Sequence, residues 1–285
     1  MVVVHALLLK VAPRPFSLYH VSATTRHKYG SRYRIANPKA MFTVQIAVAK
    51  TNKYATKESG DTVEVVERPT GGFSVVLADG QGSGPAAKIL SHMLTTKAIS
   101  MIKDGARDGA VARAVHDYLY TYRGGKVSAT LVILSVDLAT RTLVMSRNSH
   151  CPILVCRPND QGLTSLDAHS EAIGLYPMTK PIVDQLPLEP GTYVVTYSDG
   201  LMEAGTRTSN KIDLPALVTS CIQQGPTARE LADFLMSEAL RLDLNRPLDD
   251  MTALVVSILP GQEVEPGQIV PLVRTMDLTL PVERF

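Results

Sequence analysis

No tryptophan occurs in this sequence, and only 5% of its 285 residues are aromatic. Stacking platforms for nucleic-acid bases are therefore not on offer. Cysteine is sparse as well. Cys151, Cys156 and Cys221 are odd in number and form no C-x-x-C pair, which argues against a disulfide framework or a structural zinc site. They read as buried thiols in a reducing cytosol. No apolar run reaches the roughly 18 residues of a membrane span. Met1–Leu9 is apolar but is interrupted by His5, has no basic region ahead of it and shows no small-residue cleavage site, so it does not read as a secretory signal. A net charge of +2 points to neither nucleic acid nor an anionic membrane as partner. The cytoplasm is the expected compartment.

Acidic residues are missing from Met1 to Lys57, while Lys and Arg recur there. A basic arm, a transit-like leader or an extension ahead of a true start at Met41 would each give that pattern. A poorly ordered extension over 1–40 is the expectation, because Met41 opens a clean strand-like run, Phe42–Ala49. A main domain over 41–260 follows, then a Pro- and Gly-containing tail, 261–285, whose role is unreadable.

What is abundant is short β-rich runs. Phe73–Ala78, Ile153–Cys156, Tyr193–Tyr197 and Thr252–Ile258 are rich in Val, Ile, Leu, Thr or Tyr. Ala129–Val136 and Thr142–Met145 flank the turn-like Asp137–Arg141 and predict a hairpin. Helical periodicity predicts Pro85–Lys103, with Ile89, Leu90, Met93, Leu94, Ala98, Ile99 and Ile102 on one stripe, and a second helix over Ala110–Tyr122. Thr227 and Glu230 form a capping-box signature ahead of Leu231–Leu242. Strands and helices do not alternate strictly, so the pattern predicts an α+β sandwich rather than a doubly wound parallel sheet.

Acidic motifs mark the ends of these strands. They are Leu77-Ala78-Asp79-Gly80-Gln81-Gly82-Ser83-Gly84, Thr196-Tyr197-Ser198-Asp199-Gly200 and Leu248-Asp249-Asp250-Met251-Thr252. Ser59-Gly60-Asp61 lies upstream of the first. A strand ending in Asp-Gly places a carboxylate at the sheet rim, where the Gly permits a sharp turn and brings a backbone carbonyl close. Each motif alone reads more readily as a turn, a solvated loop or a helix cap, and only their combination and order favour a functional reading. Carboxylates gathered at one rim repel one another and cannot all stay ionised. Hard divalent cations such as Mg²⁺ or Mn²⁺, which prefer oxygen ligands, resolve that conflict. A pair of such ions about 3.5–4 Å apart can activate water for phosphoester hydrolysis.

In this order, Ser-Gly-Asp, Ala-Asp-Gly-x-Gly-x-Gly, Ser-Asp-Gly and Asp-Asp-Met-Thr resemble the PPM-type metal-dependent serine/threonine phosphatases, most closely the bacterial SpoIIE/RsbU/RsbX branch. The similarity covers roughly Phe42 to Leu259. Ser149-His150-Cys151-Pro152 resembles the family's Gly-His-x-Pro segment, and Ile173-Gly174-Leu175 its Pro-Leu-Gly turn. The resemblance implies a β-sandwich of two mainly antiparallel sheets with helices on both outer faces, and two Mn²⁺ or Mg²⁺ ions at one end. By position it implies metal ligation by Asp61, Asp79, the Gly80 carbonyl, Asp199 and Asp250, with Asp249 supporting them. The choice between Asp249 and Asp250 rests on register alone. It further implies hydrolysis of phosphoserine or phosphothreonine on a phosphoprotein, such as an anti-sigma-factor antagonist, and a regulatory partner at the helix after the metal loop.

The sequence also departs from that pattern. Thr62-Val63-Glu64 follows Asp61 where aromatic and further acidic residues are common. An Arg placed like the phosphate-binding Arg of eukaryotic relatives is missing, leaving the substrate phosphate to metals and backbone. Two other classes compete. Asp-Gly-x-Gly-x-Gly also resembles the nucleotide box of GHKL ATPases, including anti-sigma kinases, but the upstream helix with Glu and Asn that such enzymes need is missing. A catalytically silent pseudophosphatase would keep the fold and act as a binding module. Gly124-Gly125-Lys126 lacks P-loop spacing. The Asp79 loop lacks the alternating acids of an EF-hand. The seven His residues show no H-x-x-x-H pair and read as surface or core residues.

Overall fold

The computed structural model describes residues 39–264 and 274–279. Residues 1–38 of the extension expected over 1–40 lie outside the described residues, as does most of the tail, while Lys39 and Ala40 already belong to the first strand. Ten strands form two five-stranded antiparallel sheets. In the first, β1 (Lys39–Thr51) pairs with β10 (Met251–Val264), followed by β9 (Thr192–Tyr197), β6 (Ile153–Cys156) and β7 (Leu163–Leu166). The second runs β2 (Asp61–Glu67), β3 (Gly72–Gly80), β4 (Ala129–Asp137), β5 (Thr142–Asn148) and β8 (Ile182–Pro187). The β1–β10 ladder reaches from Thr51 opposite Met251 to Lys39 opposite Val264, slightly beyond both ends of the domain expected from the sequence.

The central strands are apolar on both faces because each sheet is covered twice. Val75 and Leu77 of β3 belong to the core between the sheets, with Leu134, Met145, Val194, Leu254 and Val256. Their alternates Val76 and Ala78 pack outward, with Leu90, Leu94 and Ala98 of α1 (Pro85–Lys103) and Val111, Val115 and Leu119 of α2 (Asp108–Arg123). Period-two alternation thus assigns one set of side chains to each layer. On the first sheet, Val195, Ala253 and Val255 face outward. They pack with Leu201 of α3 (Asp199–Met202), Val218 of α4 (Leu214–Ile222), and Leu231 and Leu235 of α5 (Ala228–Leu242). Each such fully buried Leu or Val contributes about 1.5–3 kcal/mol. The result is a four-layer helix–sheet–sheet–helix sandwich, in agreement with the sequence pattern.

Local signals explain the element ends. Thr227 caps α5: its Oγ1 accepts from Glu230 N (3.2 Å), and Glu230 Oε2 accepts from Thr227 N (2.7 Å), the predicted capping box. Asp213 caps α4 by accepting from Ala216 N (3.0 Å). Strands β2, β7 and β8 and helices α3 and α4 are not among the elements expected from the sequence. In β2 the reason is visible: Asp61-Thr62-Val63-Glu64 mixes polar and apolar residues at a sheet edge, so no apolar run marks it. The acidic motif at Asp61 therefore opens a strand of its own. The α1 stripe also needs correction. Ile89 is 65% exposed, because the buried line of Ala87, Leu90, Leu94 and Ala98 leaves the next position around the helix at the solvent edge.

Candidate metal centre

The carboxylates meet at one end of the sandwich, where both sheets contribute. Asp61 opens β2 directly opposite Asp79, near the end of β3. Asp199 begins α3 just after β9, and Asp249-Asp250 directly precede β10, the neighbour of β9 in the other sheet. Thr252 of β10 links the sheets, its Oγ1 donating to Asp61 Oδ2 (2.5 Å). Ser198 locks the two loops of the first sheet together, since its Oγ accepts from Thr252 N (2.9 Å) and donates to Asp250 O (3.3 Å).

The glycines after Asp79 and Asp199 serve close approach. A Cβ on Gly80 would stand 2.5 Å from Ala87 O, and one on Gly200 would stand 2.2 Å from Asp250 O. Neither glycine has a positive φ, so room rather than the anticipated sharp turn requires glycine here.

A cavity of about 390 Å³ opens over this rim. Asp79, Gly80, Asp199 and Asp249 line it, along with Lys53, Gln81 and His150. Asp61 is buried, and its Oδ1 has no hydrogen-bond partner. Asp250 is also buried, but each of its oxygens has a partner. Its Oδ1 accepts from Lys53 N (2.8 Å) and its Oδ2 from Gly60 N (2.6 Å). The two adjacent aspartates thus take opposite positions: Asp249 faces the cavity, and Asp250 staples the β1–β2 loop. Register in the sequence suggests the reverse assignment. Asp249 lies in a bend and Asp250 directly precedes β10, and only the packed loop decides which of the two meets the cavity.

Electrostatically the rim is overloaded. Burial first, then the carboxylates of Asp61, Asp199, Asp249 and Asp250, push the Asp79 carboxyl up to about 9. Burial raises Asp61 to about 6, against the Thr252 hydrogen bond and the Lys50 ammonium. Asp199 is raised by burial and by Asp249, with His150 and the Gly200 N–H opposing. Buried like charges with an unpartnered oxygen are what hard cations would relieve, and every candidate donor is an oxygen. The donor set fits divalent ions in chemistry. As the side chains stand, no group of three His, Cys, Asp or Glu among the described residues encloses an ion.

Two residues of the cavity are not candidates on sequence grounds. His150 reads there as one of the surface or core histidines, although it sits in the Ser149-His150-Cys151-Pro152 segment that carries a family signal. Lys53 belongs to no motif. Its place depends on the Asp250 staple, a contact across 197 positions of sequence. The thiols behave as expected of inert cysteines: burial pushes Cys151 up to about 12. A larger hollow of about 610 Å³ lies over α4 and β7, and its one acid, Asp213, is engaged in capping α4.

Residues 69–259 match the family model described as Stage II sporulation protein E (SpoIIE). The chain belongs to the SpoIIE family. It is 25% identical over 223 residues to Stage II sporulation protein E of Bacillus subtilis (strain 168), a match covering 76% of this chain and 26% of that relative. The chain thus spans about a quarter of that relative's length. Among solved structures, it is similar to the PP2C phosphatase domain with a fragment of the regulatory domain of SpoIIE from Bacillus subtilis. There the TM-score is 0.65 at 21% identity, over 79% of this chain and 65% of that one. The catalytic domain of the serine/threonine protein phosphatase PstP, solved in complex with two manganese ions, gives a TM-score of 0.58 at 17% identity, over 77% of this chain and all of that one. The fold is that of PP2C-type (PPM) phosphatases. Among the described residues, no helix is long and apolar enough to cross a membrane.

Proposed function

We propose that this chain is a divalent-metal-dependent protein serine/threonine phosphatase with its centre at the rim of Asp61, Asp79, Asp199 and Asp249. The observation that carries the reading is the convergence of like charges from both sheets onto one cavity, with the buried Asp61 Oδ1 unpartnered. A family fold alone would not identify a function; this gathering of carboxylates around one cavity is what supports the reading. Mn²⁺ or Mg²⁺, as a pair, would supply an activated water and offset charge on the phosphoryl oxygens.

The chain's own residues do the rest. Asp79, Asp199 and Asp249 present oxygens to the cavity, and Gly80 allows α1 to approach closely enough to shape its wall. Asp61 is held by Thr252, with one oxygen left to donate. We assign Asp250 the supporting role, since both its oxygens are committed to Lys53 and Gly60. We place the phosphatase domain at 41–260, extended by the β1–β10 ladder to residues 39 and 264. The substrate class is a cytoplasmic phosphoprotein, such as an anti-sigma-factor antagonist. A regulatory partner at α1 would act through Lys88, which joins that helix to the centre by donating to Asp61 O (3.2 Å). Ile89 beside it is exposed for contact.

The test is hydrolysis of p-nitrophenyl phosphate and a phosphoserine peptide with and without Mn²⁺, wild type beside Asp199→Asn. Turnover that requires Mn²⁺ and is lost in the variant is the expected result. A wild type that binds Mn²⁺ yet turns over neither substrate would refute this reading in favour of a catalytically silent binding module. The separated carboxylates, which enclose no ion as placed, are the observation on that side.

A further inference from the structure

Three lysines stand near the carboxylate rim, and two of them are committed. Lys50 Nζ donates to Asp61 O (2.6 Å). Lys88 Nζ donates to the same carbonyl (3.2 Å) and to Thr62 Oγ1 (3.0 Å). Both ammonium groups therefore serve the wall behind the cavity. Lys53 differs. It lines the cavity itself and is the one Lys or Arg among the lining residues. Among the described residues its ammonium makes no hydrogen bond and no ion pair, although Asp79, Asp199 and Asp249 line the same space.

Its backbone is held from several directions. Lys53 N donates to Asp250 Oδ1 (2.8 Å), and its carbonyl accepts from Thr56 N (3.1 Å) and Thr56 Oγ1 (2.8 Å). The next residue's N–H, that of Tyr54, donates to Pro247 O (2.9 Å). The side chain leaves from a fixed point, so on binding only its own rotamers remain to be ordered.

We infer that Lys53 is the side chain that holds the phosphoryl group of the substrate. The inference rests on the hydrolytic reading above. A phosphate monoester brings up to two negative charges and several acceptor oxygens, and an ammonium answers them with a compact charge and three donors. With its carboxylates neutralised by cations, the cavity keeps Lys53 as its unspent positive side chain. The sequence, lacking a suitably placed Arg, leaves the phosphate to metals and backbone; the cavity adds this ammonium. Asp250 thereby supports phosphate binding at one remove, because it fixes the backbone from which the phosphate-holding group extends.

The probe is inorganic phosphate, titrated calorimetrically into the Mn²⁺-loaded full chain, with Mn²⁺ affinity measured separately. Lys53→Gln is expected to weaken phosphate binding roughly ten- to a hundredfold, the loss typical of one charge-assisted hydrogen bond. Lys53→Arg is expected to restore most of it, with Mn²⁺ affinity equal in all three proteins. Phosphate affinity unchanged in Lys53→Gln overturns the inference. So does a loss of phosphate affinity that only tracks a loss of Mn²⁺. If the wild type binds phosphate through Lys53 but hydrolyses no phosphoserine peptide, the catalytic reading fails and with it the substrate role, leaving Lys53 as a phosphate-binding residue only.

Discussion

The β2–β3 pair carries a buried polar cluster at each end, and the two are built on opposite principles. At one end Asp61 faces Asp79, like charge against like, with one oxygen unpartnered. At the other, roughly 20 Å along the strands, Arg68 Nη1 donates to Asp108 Oδ1 (2.7 Å), Ser74 Oγ (2.8 Å) and Ser135 Oγ (3.1 Å). Both members of that ion pair are nearly inaccessible, with side-chain exposures of 8% and 2%. Asp108 also opens α2, where the helix dipole favours a carboxylate. The Arg68 end is electrically closed and ties the α1–α2 connection to the sheet. At the aspartate end the carboxylates that line the cavity, Asp79, Asp199 and Asp249, outnumber the one lysine there, Lys53. Under the proposed function cations complete that end, and one strand pair then separates a stabilising cluster from a functional one.

The contrast breaks if the two ends respond alike to mutation. The largest effect is expected at the open end. Asp79→Asn should lower Mn²⁺-dependent hydrolysis by about three orders of magnitude or more. It should also raise the melting temperature of the metal-free protein at neutral pH, because folding no longer has to protonate a buried carboxyl raised to about 9. A melting temperature lowered by Asp79→Asn would show that the carboxylate supports the fold.

At the closed end, Arg68→Met leaves Asp108 buried without its partner, which should cost about 3–5 kcal/mol in denaturant unfolding. Replacing both, Arg68→Met with Asp108→Leu, should recover most of that loss. A double variant as unstable as the single one would mean the cluster works through packing rather than charge.

The adjacent aspartates sharpen the contrast on a smaller scale. Asp250→Ala strips the acceptor from the buried Gly60 N–H and the half-buried Lys53 N–H and should cost about 1–3 kcal/mol for the buried one and less for the other. Asp249→Asn should leave unfolding nearly unchanged while weakening Mn²⁺ binding measured by calorimetry. If Asp250 proves the residue whose loss removes Mn²⁺ without touching stability, the assignment reverses.

The mildest test is pH. Carboxyls raised in the folded state, Asp61 to about 6 and Asp79 to about 9, contribute stability below the unfolded value of 3.8 and lose it as pH rises through the folded values. The melting temperature of the metal-free protein should therefore fall between about pH 4 and 9, and Mn²⁺ should flatten that slope by binding the folded state. A flat profile without metal would mean the rim is not electrostatically loaded.

Much of this is legible in the sequence because the signals are local. The capping box at Thr227 and Glu230, the α1 and α5 helices, the apolar central strands and the Asp-Gly strand ends all depend on residues a few positions apart. The ordered set of acidic motifs carries the family resemblance. Other features require the fold. Asp249 and Asp250 are indistinguishable as neighbours in a string, yet one lines a cavity and the other accepts bonds from Lys53 and Gly60, nearly 200 positions away. Lys53 has no motif, and β2 is masked by its polar residues. The sequence by itself determined which chemistry is available: carboxylates at strand ends, apolar strands to hold them and helices to cover both sheets. Tertiary structure decided which carboxylates face the cavity, which is left with an unpartnered oxygen and which lysine stays unspent. Those outcomes depend on the packing of two sheets against each other, and so on contacts that no local pattern encodes.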